Sequence, residues 1–282
     1  MKKSLILIAV MALTFCTVNA ASKKATSIIL GTSQGFQGPE WENNTYTIDK
    51  DGYIVIFDGT SMKGWRGYGK NHIAPRWVIE DGCLHFRGSS NPKSLDKNGK
   101  KMEGGDIIFG HKFGNCILEL EWKISKGGNS GIFYLAQETT DANGKLQPIY
   151  ISCPEYQVLD NVNHPDAKLG KDGNRQSASL YDMIPAKPQN AKPFGEWNKA
   201  KIMVYKGTVI HAQNEQNVVE YHLWTPKWTE MLKASKFSPN GDFPIAYELL
   251  NNMGGENHEG YIGLQDHGDD VWYRNIRVKV ME

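Results

Sequence analysis

The sequence predicts an all-β chain, a sandwich or barrel carrying one short helix. Three observations lead there. Apolar residues recur with period two in many short runs, Gly and Asn turns separate those runs, and a single stretch has helical spacing. Cys116, Leu118, Leu120, Trp122 and Ile124 alternate with Ile117, Glu119, Glu121 and Lys123, the pattern of a half-buried strand. Ile276, Val278 and Val280 alternate with Arg277 and Lys279 in the same way. Further strands are expected over 53–57, 76–80, 83–87, 131–137, 154–160, 201–206, 208–213 and 260–266. Turns fall at Asp81-Gly82, Gly127-Gly128-Asn129 and Lys206-Gly207. The helix is expected over 226–236, with Thr225 as its cap, Pro226 at its first position, and Trp228, Met231 and Leu232 at helical spacing. Strands do not alternate with helices and nothing repeats, which excludes a parallel sheet built from βαβ units.

The first residues read as an export signal. Lys2 and Lys3 precede an apolar stretch without acidic residues, and Val18-Asn19-Ala20 supplies small residues for cleavage after Ala20. Residues 1–20 are therefore expected to leave a soluble periplasmic or secreted chain. The rival is an outer-membrane lipoprotein anchored at Cys16, although Phe15 is bulky where lipid attachment needs a small residue. The apolar run is shorter than the roughly 20 residues of a membrane helix, so no transmembrane span is expected. Residues 21–45 are polar, Gly-rich and aperiodic, and read as an N-terminal tail; 46–282 read as one domain. The formal net charge is +1, two positive charges lie in the leader, and no basic cluster follows, which argues against a nucleic-acid partner. Beyond the leader only Cys83, Cys116 and Cys153 remain. This odd, sparse set reads as buried thiols rather than a disulfide framework, and lacks metal-binding spacing.

Chemistry in a sandwich sits where strands present polar side chains. In Pro154-Glu155-Tyr156-Gln157-Val158-Leu159-Asp160, Tyr156 and Val158 share one face while Glu155 and Gln157 share the other. His164-Pro165-Asp166 follows closely. In Gly260–Gly268, Ile262 and Leu264 alternate with Gly263, Gln265 and His267. A glycine within a strand permits close approach of a ligand, and imidazole exchanges protons near neutrality. The plainer readings are a solvated strand face, an Asx-rich turn and a structural histidine. Trp65-Arg66-Gly67-Tyr68 offers an aromatic platform and a cation, or simply a core anchor. Tyr181 and Asp182 project to opposite sides of a short run. No cofactor is expected; His164, Asp166 and Asp160 form the one group that would suit a divalent cation, without matching a specific motif.

Five segments in order resemble the 3-keto-disaccharide hydrolase domain family. They are Ile56–Ser61 with Gly64–Gly67, Asn129–Tyr134, Pro154–Asn161, Gly195–Asn198, and Gly263–Gly268 with Val271–Ile276. The resemblance covers about residues 50–280. It implies a concanavalin-like jelly roll of two antiparallel sheets, a small carbohydrate substrate in the form of a 3-keto glycoside, and a partner sugar 3-dehydrogenase that makes the ketone. A ketone at C3 acidifies the C2 proton, so a base that removes it lets the glycosidic oxygen at C1 leave by β-elimination; water added to the enone completes a hydrolysis. The expected roles are His267 as base, Glu155 or Asp160 as acid for the leaving oxygen, and Arg66 as donor to the ketone or enolate. Gln157, His164, Tyr181, Gln265 and Tyr134 complete the expected substrate contacts. Glu155, Gln157, Tyr181, Gln265 and His267 should line one pocket, with Arg66 and His164 at its rim. An ordinary glycosidase needs two carboxylates about the bond, and the nearest pair, Glu119 and Glu121, reads as a solvent face. A carbohydrate-binding module is the non-catalytic alternative.

Overall fold

Two antiparallel sheets pack face to face in a computed structural model that describes residues 26–36 and 40–282. The leader, its cleavage point and Cys16 lie outside the described residues. The larger sheet contains β3 (Ile54–Phe57), β5 (Trp77–Glu80), β6 (Cys83–Phe86), β8 (Cys116–Ile124), β11 (Asn198–Tyr205), β12 (Thr208–Gln213), β13 (Gln216–His222) and β15 (Val271–Val280). The smaller contains β4 (Trp65–Gly67), β7 (Ile107–Phe113), β9 (Asn129–Ala136), β10 (Glu155–Leu159) and β14 (Gly260–Leu264), in the order β10-β9-β14-β7-β4. Their facing side chains form the main core, including Leu118, Leu120, Trp122 and Tyr273 from one sheet and Phe109, Ile132, Tyr156 and Leu264 from the other.

The two sheets treat their outer faces differently. β8 alternates buried and half-buried residues, so its outer face meets solvent, as its sequence period implies. β9, β10 and β14 are buried throughout, because long loops and a helical segment cover the outer face of the smaller sheet. At one end of that face Tyr68, Ile108, Phe133, Ile149, Cys153 and Tyr261 form a second apolar cluster. At the other end the side chains are polar and a pocket opens.

Three expectations need correction. The N-terminal tail is in part ordered as a hairpin, β1 (Ser27–Ser33) with β2 (Trp41–Thr47), whose Leu30 and Tyr46 join the main core. Strands β4, β7 and β13 were absent from the expected set. The helix over 226–236 ends sooner, as α1 (Pro226–Lys233), and a second helix of equal length, α2 (Pro244–Asn251), packs beside it. Thr225 does cap α1, its Oγ1 accepting from Trp228 N at 3.2 Å. The three cysteines are buried and free.

Candidate active site

Pairing across the smaller sheet places Glu155 beside Phe133 and Gln157 beside Gly131. On the other side of β9, Gly263 lies beside Phe133, and just beyond β14 Gln265 N donates to Gly131 O at 3.0 Å. Alternation then turns Glu155, Gln157 and Gln265 to the outer face while Tyr156 and Val158 enter the core. Glycine at 131 leaves room for Glu155: a Cβ there would overlap the Glu155 carboxyl group and displace that side chain. These residues form the floor of a cavity of about 290 Å³, near the lower limit of small-molecule sites.

The walls come from loops. Tyr181 enters from the segment after β10, held by its hydroxyl on Asp166 Oδ2 at 2.9 Å. Arg175 fixes the same loop by bonding Asp166 Oδ1 at 2.9 Å and Asp182 Oδ1 at 2.6 Å. The segment after α1 brings Lys236, Phe237 and Phe243, and Tyr150 closes that side. The turn after β14 supplies Asp266 and His267. Asp266 N donates to Asp106 Oδ1 at 2.8 Å, and Asp266 Oδ1 accepts from Gly268 N at 2.9 Å, which sets the course of the His267 turn. Asn129 Nδ2 lies 3.5 Å from His267 Nε2.

The electrostatics favour uncharged carboxyl groups. Burial pushes Glu155 up to about 8, with Lys236 pulling it back and Asp106 and Asp166 adding to the rise. Burial pushes Asp106 up to about 7, opposed by its bond from Asp266 N. Burial lowers Lys236, against the charge of Glu155. Asn129 Oδ1, Gln157 Oε1 and Gln265 Oε1 are buried with no hydrogen-bond partner in the protein. Three orphan acceptors around one cavity suit hydroxyl donors from a ligand.

Glu155, Gln157, Tyr181, Gln265 and His267 thus meet in one pocket. His164 lies beside it, its ring 6.4 Å from that of His267. Three expected site residues do not. Arg66 is buried on β4, where Nη1 and Nη2 grip Glu138 at 2.6 and 2.8 Å and Nε donates to Ser33 O at 2.9 Å. Tyr134 shares parity with Ile132 and points into the core, its hydroxyl 2.6 Å from both His211 Nε2 and Tyr221 Oη. Asp160 is spent on a turn, accepting from Gly127 N, Val162 N and Asn163 N and from the Asn163 amide. The residues proposed for a cation are placed as follows. Asp160 is saturated, Asp166 serves Arg175 and Tyr181, and no three His, Cys, Asp or Glu side chains among the described residues are grouped to hold a metal. Lys236, Asp106, Asn129, Tyr150 and Phe243 were missed; Asn129 opens β9, and the others reach the pocket from turns, a short 3-10 turn and irregular segments that have no period to read.

A larger hollow of about 720 Å³ lies on the outer face of the larger sheet. Its acids are committed: Glu119 pairs with Arg277 and Lys201, and Glu121 with Arg274. Glu119 and Glu121 therefore do not act as a free catalytic pair.

The Arg66 geometry carries a prediction. Arg66→Ala strands Glu138, whose side chain is 8% exposed, and should lower stability by about 3–5 kcal/mol. Thermal unfolding measures this. A normal melting point with a raised KM would instead return Arg66 to the substrate.

A sequence profile described as a 3-keto-alpha-glucoside-1,2-lyase-like domain matches residues 52–279. A 3-keto-disaccharide hydrolase of Bacteroides thetaiotaomicron is 64% identical over 264 residues, covering 92% of this chain and 89% of that one. A crystal structure of a provisionally assigned glycosyl hydrolase from Parabacteroides distasonis aligns with a TM-score of 0.62 at 23% identity, covering 82% of this chain and 95% of that one. Another from the same organism gives 0.53 at 20% identity over 90% and 91%. These two speak for the fold alone, a jelly roll of two antiparallel sheets. Since the profile spans nearly all of the domain from β3 to β15, the chain belongs to the 3-keto-alpha-glucoside-1,2-lyase-like domain family.

Proposed function

We propose that this chain hydrolyses 3-keto disaccharides in the pocket around Glu155 and His267, by elimination followed by hydration. The reading agrees with its glycosidic-bond-cleaving relative of 64% identity. The observation that carries the mechanism is a carboxyl group kept protonated near neutrality beside an imidazole and an amine in one cavity. Ordinary glycosidases work with an ionised carboxylate opposite the acid. Here His267 takes the C2 proton and Glu155 gives its proton to the leaving oxygen at C1. Lys236, the one Lys or Arg among the described lining residues, faces the C3 oxygen and stabilises the negative charge that develops there. Asn129, Gln157 and Gln265 accept from sugar hydroxyls, and Tyr150 and Phe243 offer ring faces to the apolar side of the sugar. Glu155, as carboxylate after elimination, then draws a proton from the water that adds to C1.

Convergence of acid, base and cation in a cavity favours catalysis over the flat platform of a binding module. The substrate ketone has to be made by oxidation, so a sugar 3-dehydrogenase is the proposed partner. Export through the leader read at 1–20 would place both reactions in the periplasm or outside the cell. The test is incubation with a 3-keto disaccharide and its unoxidised parent in deuterated water, followed by NMR. The expected result is cleavage of the keto sugar alone, with deuterium at C2 of the product. Cleavage of both, or retention of the C2 proton, would overturn the elimination route.

A further inference from the structure

The amine of Lys236 stands in unusual company. Its Nζ lies 4.2 Å from the centre of the Tyr181 ring, 5.2 Å from that of Phe237 and 5.8 Å from that of Phe243. Its backbone N–H is anchored on Asp182 Oδ2 at 3.2 Å, yet among the described residues no side chain forms a hydrogen bond or ion pair with Nζ. Every other charged group on that wall is engaged: Asp166 and Asp182 both hold Arg175. The ring faces attract the charged form, while their apolar bulk desolvates an amine that is open to a cavity, and desolvation is what makes a lysine a nucleophile toward carbonyl carbon. The proposed substrate is a ketone.

We infer that Lys236 condenses with the C3 carbonyl of the substrate, so that elimination runs through a protonated imine rather than a free enolate. This deepens the proposed function and rests on it. The Lys236 ammonium passes one proton to the His267 imidazole in the same cavity, and the neutral amine adds to C3. The carbinolamine oxygen leaves as water with two hydrogens that began on nitrogen, and the third stays on the iminium. Burial of Lys236 disfavours its charged form and so favours such transfer. Glu155 gives its proton to the carbinolamine oxygen and takes one back from nitrogen, and His267 returns its proton to the departing hydroxyl, so both end the condensation as they began.

His267 then takes the C2 proton and an enamine forms. Its electrons move to C1–C2 as the C1–O bond breaks, and Glu155 protonates the departing oxygen. The conjugated iminium that remains is more electrophilic at C1 than the corresponding enone. Water adds there and gives a proton to the Glu155 carboxylate, and His267, after exchange with solvent, delivers a proton to C2. Hydrolysis of the iminium restores the ketone and the ammonium. The water lost in condensation is regained at the end, so one water is consumed overall. A single covalent bond thus serves both the elimination and the hydration.

The experiment is reductive trapping of full-length mature protein with methyl 3-keto-α-glucoside and cyanoborohydride. The blocked anomeric carbon prevents ordinary glycation by an aldehyde. Intact mass and peptide mapping should show one reduced adduct at Lys236 in nearly every chain, and none at the exposed lysines. Lys236→Arg keeps the charge and should abolish both the adduct and the cleavage of a 3-keto disaccharide. Cleavage by wild type without an adduct at Lys236, or a wild-type rate in Lys236→Arg, overturns the imine and leaves the lysine as an electrostatic partner. If wild type forms the adduct and yet fails to cleave any 3-keto disaccharide, the imine stands and the proposed activity falls.

Discussion

Replacing His267 by Ala is expected to lower kcat on a 3-keto disaccharide by about 10²–10⁴-fold, the usual worth of a placed acid or base. The loss should appear equally in washout of deuterium from C2, because the same proton is involved. Stability should barely change: His267 is exposed at the pocket mouth, and its contact with Asn129 is a long 3.5 Å. Three measurements therefore separate a base from a structural histidine, namely turnover, C2 exchange and the melting curve. Undiminished exchange in the variant would move the role to His164, whose ring is 6.4 Å away.

Glu155→Gln should cost about as much in kcat, since an amide cannot protonate the leaving oxygen. It should also remove a limb of the pH profile. Below about 8 the wild-type carboxyl holds its proton, and above it the acid is lost, so wild-type kcat should fall as pH rises through that value. The residual rate of the variant should lack this fall. Stability moves the opposite way. The unfolded carboxyl ionises near its ordinary 4.5 while the folded one waits until about 8. Between these values the folded chain binds the extra proton, so wild-type stability declines as pH rises. Glu155→Gln should lose that decline and be the more stable protein above pH 8, by on the order of a few kcal/mol. Denaturant titrations at pH 5 and pH 9 decide it; a variant less stable at both would show that the carboxyl is held ionised by Lys236 instead.

How much of this was legible depends on whether a residue sits in a periodic run. The alternation from Cys116 to Ile124 reappears as strict burial alternation in β8. Parity in 154–160 put Glu155 and Gln157 on the pocket side, and the same parity argument applied to Ile132 and Tyr134 would have assigned Tyr134 to the core. The hairpin was obscure because its strands are rich in Ser, Thr and Asn and half exposed. The second helix lacks a side-chain cap at Phe243, so only Pro244 marks its start. Arg66 and Lys236 were beyond reach for a different reason. Whether a cation is free depends on a partner distant in sequence: Arg66 meets Glu138, 72 residues away, while among the described residues no carboxylate reaches Lys236 closely enough to pair.

The hairpin also sets the order in which the molecule can be finished. β1 and β2 are made before any other strand, yet Ser33 Oγ waits for Gly110 O, 77 residues downstream, and the guanidinium it helps to hold waits for Glu138. A two-stranded ribbon is at best marginally stable alone, and contacts across such separations form slowly. During synthesis this hairpin therefore remains unfastened until the chain has been made as far as Glu138, about half way along its length. Among the described strands the first made is thus fastened only by residues that come much later, like a clasp sewn on before the garment is cut.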